Sequence, residues 1–489
     1  MIMQSSIFPL LAILAPLAGI PGMMSSKNAN VREAWTFASA FATFALALVL
    51  LPGVLDGTEY TLTIAPVIPA VPLALKVDSL GMLFAMVSTP LWIVTSLYSI
   101  GYMRGLHEPN QTRYFCCFAL AISATVGVAF SANLFTMYLF YEMLSFATYP
   151  LVTHHQDPEA RVSGRKYLLY IVGGSIGLAL PAMIIVFSMA GTLDFLPQGV
   201  LVGTNIGAGL MAVLVVMFIF GFAKAGVMPF HSWLPAAMVA PTPVSALLHA
   251  VAVVKVGVFS VVRVLTGILG VDLLAHFHLS TLISGIAAVT ILTASLIALS
   301  QKELKRRLAF STIGQLSYII LGVGLLTPKG ITGGMVHIAM HAFGKITLFF
   351  CAGAIFVGAG KKYIPDMVGI GRRMPVTMTA FFIGSLSVIG IPLTGGFFSK
   401  WYMLQGALDS GQWIFMVVLL VSSLLNAAYF LPIVYKAFFC TDEESLFEPV
   451  VKEAPIHCLV PLCITAIVSV VLFFFPDVFR TLAELAVEG

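Results

Sequence analysis

The string TMYLFYEMLSFATYPLVT, residues 136–153, is apolar almost throughout and carries one carboxylate, Glu142. Four lysines occupy equally apolar runs: Lys224 in FGFAKAGVMPFHSWLP, Lys255 in VAVVKVGVF, Lys345 in HAFGKITLFF and Lys400 in GGFFSKWYML. A charge at mid-bilayer costs roughly 2.5–3.5 kcal/mol, so five such groups, unpaired, total on the order of 10 kcal/mol. That is comparable with the whole stability of many folded proteins. One lysine alone can snorkel to an interface, most plausibly Lys400. The set requires partners, hydration or a task, and the task that suits buried acids and bases is passing protons through intervening water.

A second pattern adds to the first. In MVHIAMHAFGKITLFF, His337, His341 and Lys345 follow one another at spacings of four, which stacks three titratable groups on one helix face. Histidine changes charge between pH 5 and 8 and desolvation lowers the pKa of lysine, so such a row suits proton relay. Two histidines at i and i+4 can also share a zinc ion, but no third ligand accompanies them, and no metal site is expected. His231 and His249 flank the start of the apolar run that carries Lys255, as accessory relay groups or as hydrogen-bonded packing residues.

These groups must be positioned by helices in a bilayer. The chain has 489 residues, 59% of them hydrophobic and only 9% charged, against about 25% charged in soluble domains. Apolar runs of about 20 residues recur from end to end, each long enough to cross about 30 Å of hydrocarbon. Residues 7–25 lack a basic leader and read as a retained helix, not a signal peptide. The six cysteines form no CxxC pair and read as packing residues. No P-loop, dinucleotide fingerprint or nucleophile elbow is present. Neither catalytic residues nor a cofactor are expected, and the net charge of +4 reflects loop lysines and arginines, not affinity for nucleic acid.

The pattern predicts an all-α polytopic membrane protein of about fourteen helices, centred near residues 16, 44, 90, 122, 142, 178, 216, 256, 289, 318, 345, 388, 425 and 466. Lysine and arginine concentrate in alternate connections, which places both termini on the outer side. Gly226 and Pro229 beside Lys224, and Pro392, Gly395 and Gly396 before Lys400, predict that helices 7 and 12 break inside the membrane. Paired broken helices point to two inverted repeats, helices 4–8 and 9–13, with Lys224 opposite Lys400. The expected divisions are 1–114 (helices 1–3), 115–270 (first repeat), 271–440 (second repeat) and 441–489 (loop and helix 14).

The segment KAGVMPFHSWLPAAMVAPTPVSALLHAVAVVKVGVF, residues 224–259, resembles the signature of the antiporter-like subunits of respiratory complex I, membrane-bound hydrogenases and multisubunit Mrp cation/proton antiporters. YEML around Glu142, HIAMHAFGKITLFF and GIPLTGGFFSKW fit the same pattern, and the likeness runs from about residue 70 onward. The resemblance implies a proton-translocating or Na⁺/H⁺-exchanging subunit of a larger complex in a bacterial or archaeal cytoplasmic membrane. It implies that Glu142 pairs with Lys224, that Lys255 is the central relay, that His337, His341 and Lys345 lead onward, and that Lys400 ends the second half-channel. Lysine at position 400, where some members have glutamate, resembles the Mrp D-type. Ala236 and Ala237 stand where many complex I relatives have Asp-Ala, which removes a loop carboxylate. The chain stops soon after its fourteenth run, without the long lateral helix of the largest complex I subunit. A standalone antiporter, a non-conducting scaffold of a membrane oxidoreductase and a membrane-embedded enzyme are the alternatives; the last lacks a nucleophile–base pair or metal cage.

Overall fold

The computed structural model describes residues 2–68, 70–440 and 452–488, apart from the side chains of residues 68, 248 and 249. The chain opens with strand β1 (Ile2–Ser5), helices α1 (Phe8–Ala18), α2 (Ile20–Ser25) and α3 (Ala29–Leu55), strands β2 (Thr58–Ile68) and β3 (Val71–Val77), and α4 (Ser79–Gly105). Then come α5 (Gln111–Ala129), α6 (Leu134–Val152), α7 (Pro158–Gly174), α8 (Leu180–Ala190), α9 (Ala208–Gly221), α10 (Trp233–Ala236), α11 (Thr242–Ala246), α12 (Val253–Val264) and α13 (Val271–His276). The later part holds α14 (Ser280–Ser300), α15 (Leu304–Gly324), α16 (Pro328–Ala359), α17 (Pro375–Ile389), α18 (Gly395–Asp409), α19 (Trp413–Phe439), α20 (Ile456–Phe474) and α21 (Asp477–Glu488).

A membrane leaves helices as the economical solution because each satisfies its own backbone groups. Among the described residues nine helical spans are long and apolar enough to cross a bilayer, while α9 and α17 are shorter apolar helices. Four of the long helices start on capping residues: Asn28, Asp78, Asn133 and Asp157 each accept a backbone N–H of the first turn. Every expected centre falls in a helical segment, but the twelfth falls on the last turn of α17 and so belongs to one of two half-helices.

Two features depart from the expectation. The all-helical reading missed a small sheet of order β1-β2-β3, with β1 parallel to β2 and β2 antiparallel to β3. Strands β2 and β3 occupy the stretch before α4, and β1 joins them from the start of the chain, where pairing satisfies a backbone that no helix covers. Lys224 precedes the first break and Lys400 follows the second. Lys224 lies in a 3₁₀ turn, Ala223–Ala225, at the end of the first half-helix, whereas Lys400 lies inside the second half-helix, α18. Nor does Lys400 snorkel: it is 5% exposed, because broken-helix carbonyls supply its partners. The loop expected at the start of 441–489 falls largely outside the described residues.

The centre of the molecule is α16. Burial covers 78% of its most apolar window, against 33% for α3, and it packs on α4, α11, α15, α17, α18, α20 and α21. Two close approaches and one left-handed turn bring neighbours into place. A Cβ on Gly257 would meet the backbone of Lys224 and Ala225, so glycine lets α12 lie against the first break. Gly396 lets α18 lie against the Ser387 carbonyl of α17. Gly226, φ +70°, ends the 3₁₀ turn in a conformation that favours glycine.

Candidate functional site

The row of groups begins at the outer flank of the helical body. Glu142, on α6, is half-buried, and Ser145, one turn on, donates to its Oε2 at 3.4 Å. Lys224 Nζ donates to Ser145 Oγ at 2.7 Å and to the Tyr141 carbonyl at 2.5 Å, and lies 3.2 Å from the centroid of the Tyr141 ring. Among the described residues no direct Glu142–Lys224 ion pair lies within bonding distance. Ser145 stands between the two. Glu142 Oε1 is buried without a hydrogen-bond partner, so the carboxylate retains an unused acceptor.

Lys255 enters from α12, after a π-helical turn at Leu247–Val251. Its Nζ lies 2.7 Å from His341 Nδ1 on α16. This contact joins the two lysine-bearing segments that the spacing of the sequence could not relate. His341 stacks on His337 with centroids 5.8 Å apart, and His337 stacks on Tyr318 at 5.7 Å. His337 is held by Ser399 Oγ at 2.8 Å and by Gln315 Oε1, which accepts from Nε2 at 3.2 Å. Lys400 Nζ lies 4.7 Å from the centroid of the Tyr318 ring. It donates to the carbonyls of Val388 and Ile389 at 2.8 and 2.9 Å, and to Ser423 Oγ at 3.1 Å. Those carbonyls are orphans of the α17 C-terminus, and a cation at a helix C-terminus is favoured electrostatically. Lys345 branches from the row, donating to Ser311 Oγ at 2.7 Å with its Nζ 5.5 Å from the Phe430 ring.

The four lysines and both helix-eleven histidines are at most 5% exposed. The two accessory histidines differ in standing. His231 is half-buried and edges the Phe310 ring at 6.2 Å, away from the row's hydrogen bonds. The side chain of His249 lies outside the described residues. Pro229, Pro392 and Gly395 occupy the breaks as expected, with Gly395 opening α18.

Several contributing residues were not foreseen. Tyr141, Ser145, Ser311, Gln315, Tyr318, Ser399 and Ser423 read as ordinary membrane-helix residues, since a hydroxyl or ring has no signature until its neighbour is known. Gly390, φ +86°, lies against Lys400, where a Cβ would sit 2.6 Å from Cδ. Arg263 and Asp78 form a further buried ion pair, with contacts of 2.6 and 2.7 Å. Arg263 passed unnoticed because it ends its apolar run.

Cavities open at both faces. At the face carrying the basic loops, one of about 680 Å³ is lined by Glu108, His155, Thr242, Lys302 and Lys362. There Glu108 bonds His155 at 3.0 Å and raises its pKa, while burial pushes the neighbouring His154 down to about 4. At the opposite face a cavity of about 290 Å³ is lined by Lys76, Asp78 and Arg263. Among the described residues no cluster of His, Cys, Asp and Glu is arranged to hold a metal ion.

Residues 131–426 match the family described as NADH:quinone oxidoreductase/Mrp antiporter, transmembrane. The chain belongs to that family. Residues 69–115 match the N-terminal part of complex I chain 5. Similar antiporter-family proteins include NADH-quinone oxidoreductase subunit N of Desulforudis audaxviator, 30% identical over 96% of this chain and 96% of that one. Hydrogenase-4 component B of Escherichia coli is 32% identical over 85% of this chain, and Na(+)/H(+) antiporter subunit A1 of Staphylococcus haemolyticus is 31% identical over 82%. The chain spans 64% and 52% of the length of those two relatives. In fold it is similar to a chain of the Mrp complex from a Dietzia species, with TM-score 0.87 at 20% identity over 98% of this chain and 96% of that one. A chain of an archaeal membrane-bound sulfane sulfur reductase gives 0.84 at 23% identity over 99% and 96%. This antiporter-family chain is thus a multi-pass membrane protein whose relatives are subunits of complex I, Mrp and hydrogenase assemblies.

Proposed function

We propose that the chain is the ion-translocating membrane subunit of a multisubunit respiratory or Mrp-type complex, moving protons, or exchanging them for sodium, along its buried Glu, Lys and His residues. The observation that carries this reading is the Lys255–His341 contact at 2.7 Å, which joins the first set of titratable groups to the second. Cavities at opposite faces of the molecule support it. The names of the relatives fit it as well.

In the mechanism, an ionised Glu142 holds Lys224 protonated through Ser145. Drawing the carboxylate away leaves Lys224 charged and desolvated, so its proton moves toward Lys255. From Lys255 the proton reaches His341, and Lys345 and Lys400 supply the onward route. Groups so closely coupled titrate as a set. The chain is divided as 1–114, 115–270, 271–440 and 441–489, with helices 4–8 and 9–13 as inverted repeats, about fourteen crossings in all. It lies in a cytoplasmic membrane with both termini outside.

Replacing Lys224 by Ala abolishes ion transport in vesicles holding the assembled complex; normal pumping in that mutant refutes the proposal. The scaffold reading is separated by Glu142→Gln, which a scaffold tolerates and a translocating subunit does not. A standalone antiporter would exchange ions when reconstituted without partners.

A further inference from the structure

Arg263 lies eight residues beyond Lys255 on the same helix, which spaces the two about 12 Å apart along the axis. It is 6% exposed and borders the cavity at the face opposite the basic loops. Its Nη1 and Nη2 donate to Asp78 Oδ2 and Oδ1 at 2.6 and 2.7 Å. Asp78 in turn caps α4, accepting the Gly81 N–H at 2.9 Å. The guanidinium is also flanked by the Phe195 and Phe259 rings, at 5.1 and 5.2 Å, and Phe259 stacks on Phe84 at 5.0 Å. Of the other charged groups at this cavity, Lys76 lies 3.3 Å from Glu59 and 4.0 Å from Asp78, and Asp272 lines the wall.

A bidentate, aromatic-flanked guanidinium is fixed in place, and arginine does not release its proton. It therefore cannot serve as a relay as the lysines can. A fixed positive charge at a constriction excludes protons and cations, as in other selective pores. Burial alone would raise the Asp78 carboxyl, but Arg263, Lys76 and the Gly81 N–H outweigh burial and hold it below the usual carboxylate range, so the clamp on Arg263 stays charged.

We propose that Arg263, clamped by Asp78, is an electrostatic gate between the buried lysine row and the cavity at this face, blocking the return of cations to Lys255. The inference rests on the proposed proton route through that row. A unit charge about 12 Å away at an effective dielectric constant of about 20 changes proton occupancy about tenfold, which sets the size of the expected leak.

The test uses membrane vesicles containing the complete assembly, with the driving reaction off. An acid pulse is applied on the cavity side and the pH inside is followed with a dye. Arg263→Gln leaks about tenfold faster than the unaltered chain, and adding Lys255→Gln to Arg263→Gln restores the slow rate. An unchanged leak in assembled Arg263→Gln overturns the gate, and so does a leak indifferent to Lys255→Gln. If the lone Asp78 prevents assembly of Arg263→Gln, the pair Asp78→Asn/Arg263→Gln is measured; it leaves the net charge unchanged, so its leak rises by less than about tenfold, and a leak equal to that of the unaltered chain overturns the gate. Failure of both to assemble makes the pair a structural staple and also overturns the gate. Driven pumping in Lys224→Ala tests the proposed function separately, because the leak is read without the driver.

Discussion

At the scale of single residues, the decisive contact is between two bases. Lys255 Nζ and His341 Nδ1, 2.7 Å apart, cannot both be fully protonated and still share a hydrogen bond, so the contact offers a proton a direct step from one to the other. That arrangement favours transfer over storage, because either partner can take the proton with little movement. His341→Asn keeps a polar side chain but removes the titratable ring. It should lower driven transport by about 10²-fold, the usual contribution of a positioned acid–base group, while the complex still assembles. Ser311→Ala, which removes only an acceptor for Lys345, should be milder. Equal effects of the two substitutions in a proton-uptake assay would show that His341 acts in packing alone.

At the scale of elements, both breaks put backbone carbonyls and glycines where lysines need them. The proline and glycine pattern revealed the breaks, and the spacing of four revealed the helix-eleven row. What each lysine touches could not be read, because partners such as Tyr141, Ser145 and the Val388 carbonyl come from other elements or from backbone, which has no letter code. The second break makes a sharp case. Gly390 ends α17 at φ +86°, and its missing Cβ leaves the space that Lys400 fills. Gly411 shares the backbone conformation, φ +70°, with nothing within 4 Å of a Cβ. Both Gly→Ala changes should cost about 1–2 kcal/mol of stability from the left-handed backbone. Only Gly390→Ala should also displace Lys400 and depress transport. Equal transport in the two variants, at matched melting temperature, would remove Lys400's seat from the mechanism.

At the scale of the whole molecule, alternation of loop charge gave a topology without any knowledge of packing, since lysines and arginines mark one side of a membrane regardless of the fold. The sheet before α4 and the Asp78–Arg263 pair escaped that reading: both depend on contacts between distant parts of the chain, β1 with β2 and residue 78 with residue 263. Together they close one face around the smaller cavity, while the basic connections surround the larger one. A proton path needs these cavities on opposite sides of the bilayer, which is the property most exposed to a miscounted helix. Thr266 lines the first cavity and Lys302 the second. With a membrane-impermeant maleimide, Thr266→Cys should label in intact cells and Lys302→Cys only in inverted vesicles, each read above the background of the six native cysteines. Labelling of both from one side would place an even number of crossings between them where the chain needs an odd one, and the lysine row would then connect a membrane face to itself.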